Sequence, residues 1–249
     1  MIGVPGAVDT VVATMQSRLD ALTPEQEPLR EFLGTYRRTT SAIGKAVDGG
    51  LFEDPECVER WDVAFADLYL SALDAHLSGR APSRPWRLAF DAPADLPALR
   101  LVLLGINAHV NYDLPQALLA VITDEDFTDE RLMDRRRRDH ERIDGVLARR
   151  VAAEDDELAA RSARSLLDRA LQPLNRVASK RFLREARLKV WHNTTELQAA
   201  RLAGPTTYDA RLAELEVLSA ARIADLLAPG QVLLRLAVAG FGVVLPPAP

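Results

Sequence analysis

The sequence has little cysteine: Cys57 is the only one in 249 residues. One cysteine excludes an internal disulfide and a zinc site built from several thiolates, and it is typical of proteins in a reducing compartment. The first residues lack a basic segment ahead of an apolar core, so we expect no secretory signal and a cytoplasmic location. The apolar run 232–245 is interrupted by Arg235 and is shorter than the roughly 20 residues that span a bilayer. We therefore expect no membrane partner.

An excess of basic residues is also missing. Lys and Arg number 31 against 36 Asp and Glu, which gives a formal net charge of -5. Nucleic-acid-binding proteins usually carry a basic excess, so we expect no nucleic-acid partner. The run Arg135–Arg138 does not alter this expectation, because four consecutive helical residues point in different directions. We interpret it as part of a solvated helix with one or two inward salt bridges.

Alternating apolar and polar runs bounded by turn residues, which would indicate strands, are absent as well. Ala, Leu, Arg and Glu dominate, and no Ser/Gly-rich linker divides the chain. The sequence therefore predicts an all-α, single-domain multi-helix bundle over 1–249, built around a buried central helix at about 96–122. Helical periodicity and start and stop signals predict helices at 8–22, 24–46, 55–76, 86–90, 95–122, 131–150, 155–171, 175–203 (or from 179), 208–228 and 232–245. We expect the C-terminal helices, 206–245, to pack on the rest.

Four polar residues lie inside the apolar central helix: Asn107, His109, Asn111 and Asp113. Polar groups taken out of water cost a few kcal/mol each unless partners satisfy them, so something must bind these side chains. His109 and Asp113 are four residues apart and project from one helix face. Pro115 has no N–H and crowds the carbonyl of Asn111, which predicts a kink or bulge beside the cluster. In the same helix, we expect a glycine at 105 to allow the close approach of another helix.

Three of the four histidines are followed, four residues later, by an acid: His109/Asp113, His140/Asp144 and His192/Glu196. Histidines and carboxylates on facing helices are how bundle cores bind iron, manganese or zinc. The sequence therefore predicts a divalent metal ion as cofactor. Its ligands would be His109 and Asp113 together with one or more of Asp67, Asp139, His140 and His192. For the pairs that begin at His140 and His192, an exposed helical pair is the favoured alternative.

We first expect a metal-dependent enzyme that acts on a small molecule, in which the ion activates water for hydrolysis or polarises a carbonyl for an elimination or cyclisation. The predicted catalytic residues are His109, Asp113, Asn107 and Asn111, and the predicted substrate-binding residues are Tyr36, Arg37, Tyr112 and Trp191. One alternative is a helical binding or scaffold protein whose buried polar row specifies how the helices meet. Another is a metal-free cyclase or isomerase that uses His109 and Asp113 as acid and base. Homo-oligomerisation stays open.

The segment 105–114, GINAHVNYDL, resembles the signature of a bacterial domain family of unknown function. Accompanying elements between about residues 30 and 200 are also similar: Tyr36-Arg37 with Thr39 or Thr40, Phe52 with Asp54, Phe65-Ala66 with Tyr69, Trp86 with Ala89-Phe90, Asp139 with Ile143-Asp144, and Trp191. The resemblance implies a helical domain. It implies no reaction.

Overall fold

The computed structural model describes residues 6–96, 98–161 and 188–228. These ranges form helices joined by short connections, and no strand occurs in them. The predicted all-α class is therefore confirmed. None of the helices in these ranges is both long and apolar enough to cross a membrane.

The helices follow one another in chain order as α1 (Ala7–Ala21), α2 (Glu27–Asp48), α3 (Pro55–Leu77), α4 (Arg84–Phe90), α5 (Ala98–Ala108), α6 (Leu114–Val121), α7 (Glu130–Arg161), α8 (188–203) and α9 (Pro205–Leu227). A π-helical turn, His109–Asp113, joins α5 directly to α6. Short 3-10 turns lie at Pro24–Gln26 and Asp126–Thr128.

Local sequence signals account for where several helices begin. Asp54 precedes α3, and its carboxylate accepts a hydrogen bond from the backbone N–H of Cys57 at 3.0 Å, which satisfies one of the unpaired donors of the first turn. Gly204 separates α8 from α9 with a φ of 121°, a conformation that favours glycine. Pro205 then takes the first position of α9, where its missing N–H does no harm.

One predicted boundary is wrong. The helices expected at 131–150 and 155–171 are a single helix as far as Arg161. The residues between them, 151–154, contain neither glycine nor proline, and Ala and Glu continue a helix readily. The rest of the 155–171 prediction, the first part of 175–203 and the terminal helix at 232–245 lie outside the described residues.

The central segment runs through α5, the π-helical turn and α6, as predicted. The α5 helix packs against α2, α4 and α9, whereas α6 packs along α3. Two apolar clusters result: one surrounds α5 with residues from α1 to α4 and α9, and the other surrounds α6 with residues from α2, α3, α7 and α8. The π-helical turn lies where the two clusters meet.

Close packing against α5 depends on Gly105. The ring of Phe32, on α2, occupies the space that a β-carbon at position 105 would fill. The same ring lies edge-on to Tyr69 and Trp86, at centroid distances of 5.1 and 5.5 Å, so it has little freedom to move aside. This glycine therefore sets the distance between α2 and α5.

We expect Gly105→Ala to lower the free energy of unfolding by about 2 kcal/mol, because the added methyl group overlaps a ring that its neighbours hold in place. Gly34→Ala is the matched control. A β-carbon there would lie 3.4 Å from the flexible end of Arg38, so the helix gains about 0.5–1 kcal/mol from replacing glycine. Urea denaturation of both variants measures the effects, and an unchanged midpoint for Gly105→Ala would contradict the packing argument.

Candidate functional site

The π-helical turn begins at His109 and ends at Asp113, just before Pro115. Pro115 has no N–H to offer the carbonyl of Asn111, so the ordinary bonding pattern cannot continue there. The N–H of Leu114 instead bonds to the carbonyl of His109, five residues back. The bulge predicted from the proline is therefore present, and π-turns inside α-helices are frequent at functional sites.

His109 and Asp113 form a buried pair on this turn. The His109 Nδ1 lies 2.9 Å from the Asp113 Oδ2, and the Trp86 Nε1–H donates to the same oxygen at 2.7 Å. The two residues are only 3% and 2% exposed. The Trp86 N–H makes Oδ2 an acceptor, so the His109 proton is assigned to Nδ1, from which it can bond to the same oxygen. The imidazole Nε2 then carries a lone pair.

Burial disfavours charge on both members of the pair. It lowers the pKa of His109 well below its ordinary value, so the imidazole is neutral near pH 7. It raises the pKa of Asp113 well above its ordinary value, and the hydrogen bond from Trp86 opposes that rise. His109 is thus a neutral base whose orientation is fixed by Asp113.

Aromatic rings surround the His109 imidazole. Phe65 stacks on it at a centroid distance of 3.4 Å and an interplanar angle of 4°, and Tyr36 lies edge-on at 4.5 Å. Phe32, Tyr69 and Trp86 complete the enclosure at 5.7–6.1 Å. Inside it, the Nε2 atom of His109 is buried and has no hydrogen-bond partner. A buried acceptor without a partner costs about 1–3 kcal/mol, so this atom calls for an explanation.

The two predicted catalytic asparagines bond along their own helix. Asn107 Nδ2 donates to the carbonyl of Leu103 at 2.8 Å, and Asn111 Nδ2 donates to Asn107 Oδ1 at 3.1 Å. Neither bond reaches His109 or Asp113. Their catalytic role stays a prediction, and the contacts in the structure serve helix α5 and the turn that follows it.

Asp139, a predicted metal ligand, lies in a second buried cluster. Its two carboxylate oxygens accept hydrogen bonds from the backbone N–H groups of Glu53 and Asp54, both at 2.8 Å, and Arg142 adds a bond at 2.7 Å. From the arginine run, Arg136 is buried and bonds to the Asp54 carboxylate at 2.5 Å. These contacts fix the α2–α3 connection on α7. The predicted inward salt bridge is therefore present.

We expect Asp139→Asn to destabilise the protein by about 1–2 kcal/mol. The amide can accept only one of the two backbone N–H groups with its oxygen, and its NH2 group faces the other donor. Asp134→Asn is the control, since Asp134 is exposed on the same helix and pairs there with Arg137. Thermal unfolding measures both. Equal midpoints for the two variants would mean that Asp139 does not hold the connection.

The pair that begins at His140 differs from the expected exposed pair, because His140 is 3% exposed. Its Nδ1 accepts a hydrogen bond from the Trp191 Nε1–H at 3.0 Å, and the Trp61 ring packs edge-on at 5.2 Å. The arginines next to His140 in the sequence point to other sides of α7. The charged sequence around His140 therefore predicted an exposed side chain, although His140 itself is buried. The side chain of Asp144 is not among those that the structure describes.

The six predicted metal ligands do not assemble into one site. His109 and Asp113 are together, Asp139 lies in the second cluster, and His140 packs against Trp61 and Trp191. Asp67 and His192 are exposed on α3 and α8. Over 6–96, 98–161 and 188–228, no group of three or more His, Cys, Asp or Glu side chains is arranged to hold a metal ion. Metal binding stays a prediction that this arrangement does not support.

Of the four predicted substrate-binding residues, Tyr36 alone is seen to contact His109. Arg37 is half-buried on the same helix, with an Nε atom that has no partner. Tyr112 packs in a small apolar cluster with Leu119 and residues of α8 and α9, where burial raises the pKa of its hydroxyl. Trp191 lies against His140.

Sequence reasoning missed Asp62 on α3. It is 2% exposed, its Oδ2 has no partner, and burial raises its pKa to about 7. The signal was available, because Asp62 occupies the helix face that carries Val58, Ala66 and Tyr69, all buried. An acid in an apolar stripe is a candidate functional residue.

Comparison with known protein families identifies a match over most of the chain. The sequence profile of a family of unknown function, DUF5995, matches residues 8–229, nearly the whole chain. The chain belongs to the DUF5995 family. No curated protein and no solved structure matches it. The DUF5995 match covers every helix from α2 to α9 and most of α1, so the helices that enclose His109 all belong to the family region.

Proposed function

We propose that this DUF5995 protein is an enzyme that transfers protons on a small molecule, with His109 as the general base and Asp113 as the residue that orients it. The observation that carries the proposal is the Nε2 atom of His109, which is buried and unpartnered while Nδ1 is tied to Asp113. A neutral imidazole held in this way keeps its lone pair available for a substrate proton.

The surroundings favour isomerisation, cyclisation or elimination over hydrolysis. Hydrolysis needs a water molecule beside the base, whereas His109 lies among aromatic rings that exclude water. The buried hydroxyl groups of Tyr69, which has no partner, and of Tyr36, which has at most that of Thr40, offer protons to the oxygen of a developing enolate or alcoholate. The metal-dependent hydrolase expected from the sequence has weaker support, because only two of its six predicted ligands come together.

A second candidate is a scaffold protein in which the pair only fixes helix packing. The near-complete burial of His109, with Phe65 stacked on it, favours this alternative. A substrate has to displace part of the enclosure to reach Nε2, and the shortest helix there is α4, which carries Trp86. The two candidates differ in whether loss of His109 removes an activity or only stability.

The test is a substrate screen with wild type, His109→Gln and the matched control His192→Gln, whose histidine is exposed. The panel contains enolisable ketones, β-hydroxy carbonyl compounds, epoxides, lactones and esters, with and without a chelator. We expect turnover by wild type and His192→Gln, with or without chelator, that His109→Gln lacks. Turnover that survives in His109→Gln would refute the base assignment. If a chelator abolishes turnover and elemental analysis finds stoichiometric metal, the hypothesis of a metal-dependent enzyme would be favoured again.

A further inference from the structure

A group of unpaired oxygen atoms lies beside His109, between α2 and α3. Asp62 Oδ2 and Tyr69 Oη on α3 are buried side-chain oxygens with no hydrogen-bond partner, and the buried oxygens Tyr36 Oη and Thr40 Oγ1 on α2 have at most each other. Tyr36 and Thr40 are one helical turn apart, and so face the same way. Four buried oxygens with no partner outside the group exceed what ordinary packing leaves unpaired in so small a region.

Tyr36 connects this group to the His109 pair. Its ring lies 4.5 Å from the imidazole, and it packs edge-on to Tyr69 and Phe65, which follow Asp62 by seven and three residues on α3. Burial raises the pKa of Tyr36 well above its ordinary value, the charges of Asp62 and Asp113 add to the rise, and a hydrogen bond with Thr40 opposes it. The Tyr36 hydroxyl is therefore within electrostatic reach of both carboxyl groups.

The region has an excess of buried hydrogen-bond acceptors, among them two carboxyl groups. Among the described residues, neither Asp62 nor Asp113 forms an ion pair with a lysine or an arginine, and His109 is neutral. Buried carboxyl groups are ordinarily paired with a cation or with several hydrogen-bond donors. The aromatic rings around His109 add faces that attract cations. In the part of the chain that the structure describes, no positively charged donor is bonded to Asp62.

We propose that Asp62, with the hydroxyl groups of Tyr36 and Thr40, binds the protonated amino group of a small organic substrate. An ammonium group has three N–H donors, which match one carboxylate and two hydroxyl oxygens, and its charge compensates Asp62. This inference rests on the proposed enzyme function and names its substrate class: an amine whose reacting C–H or O–H group lies at His109 Nε2.

The test measures the binding of simple amines. Thermal unfolding at about pH 8 is recorded with methylammonium or benzylammonium chloride, with sodium chloride at equal ionic strength and with benzyl alcohol as the uncharged analogue. We expect an amine to raise the Tm of wild type by about 2 °C or more, with no shift from the alcohol. No amine effect beyond that of sodium chloride would overturn the proposal.

Single-residue variants test which side chains bind the amine. Asp67 is an exposed acid about one and a half turns further along α3. The variant Asp67→Asn is expected to keep the amine-induced rise in Tm, whereas Asp62→Asn loses it. Thr40→Val keeps the side-chain shape and is expected to weaken amine affinity about tenfold, since a hydrogen bond to a charged group is removed. An equal amine shift in wild type and Asp62→Asn would also overturn the proposal. Circular dichroism confirms that each variant is folded.

Three further outcomes distinguish this inference from a metal site and from the proposed catalysis. A shift produced by magnesium or manganese but by no amine, and lost in Asp62→Asn, would replace the amine with a metal ion. Amine binding that depends on Asp62, in a protein whose His109→Gln variant loses no reaction, would leave the amine site standing and refute the proposed catalysis. A reaction that requires His109 but uses a substrate without an amino group would support the proposed catalysis and refute the amine site.

Discussion

Asp113→Asn is expected to lower the turnover of a substrate found in the screen by about 10²- to 10⁴-fold, the range that a general base contributes. The Trp86 Nε1–H needs an acceptor, so the amide oxygen takes the place of the Asp113 Oδ2 and still accepts from both Trp86 and His109. The histidine tautomer is thereby kept. An asparagine cannot supply the negative charge that Asp113 supplies when it ionises beside the imidazolium formed as His109 takes the substrate proton, an ionisation that burial alone opposes.

Trp86→Phe is the matched variant for this prediction. It removes one N–H donor from Asp113 but leaves the carboxylate and its bond to His109 in place, so turnover is expected to stay within about tenfold of wild type while stability falls. Nitrogen-15 NMR of the imidazole reports the tautomer, and steady-state kinetics report turnover. Full turnover in Asp113→Asn, with the Nδ1–H tautomer retained, would show that the charge of Asp113 plays no part in catalysis.

The pair at the centre of the site could be predicted from the sequence because its geometry is local. His109 and Asp113 are four residues apart, and the bulge follows from a proline two residues beyond the aspartate. The enclosure could not be predicted, since Trp86 and Phe65 come from α4 and α3. Helical periodicity says which residues face a core, but not which residues of another helix they meet.

The second cluster shows the same division between local and distant contacts. Asp139 was predicted as a possible metal ligand, yet its partners are backbone groups 85 and 86 residues away. Backbone N–H groups belong to every residue type, so no sequence pattern marks them as partners. Asp62 was not predicted for a different reason. Its position in an apolar helical stripe is a local pattern, but the site was predicted from the spacing of histidines and acids.

We expect Asp62→Asn to be more stable than wild type at about pH 8, by about 4 kcal/mol, and to differ little near pH 4. In the folded protein the pKa of Asp62 is about 7, whereas an aspartate in an unfolded chain has a pKa of about 3.9. Between these values the unfolded state releases the proton and the folded state keeps it. The unfolded state therefore binds fewer protons, and wild-type stability falls as the pH rises through this window. An asparagine does not titrate, so the variant avoids the loss.

Other groups titrate in the same window, but they are common to both proteins. Burial raises the pKa of Asp113, which acts in the same direction as Asp62, and lowers the pKa of His109, which acts in the opposite direction. Their effects cancel in the difference between wild type and variant, so urea denaturation at several pH values isolates Asp62. Asp67→Asn, exposed on the same helix, is expected to show no such pH-dependent difference. If the difference in unfolding free energy between wild type and Asp62→Asn is constant from pH 4 to pH 8, Asp62 is ionised and has a positively charged or hydrogen-bonding partner in solution. A saturating amine should produce the same constant difference, because it binds the ionised carboxylate.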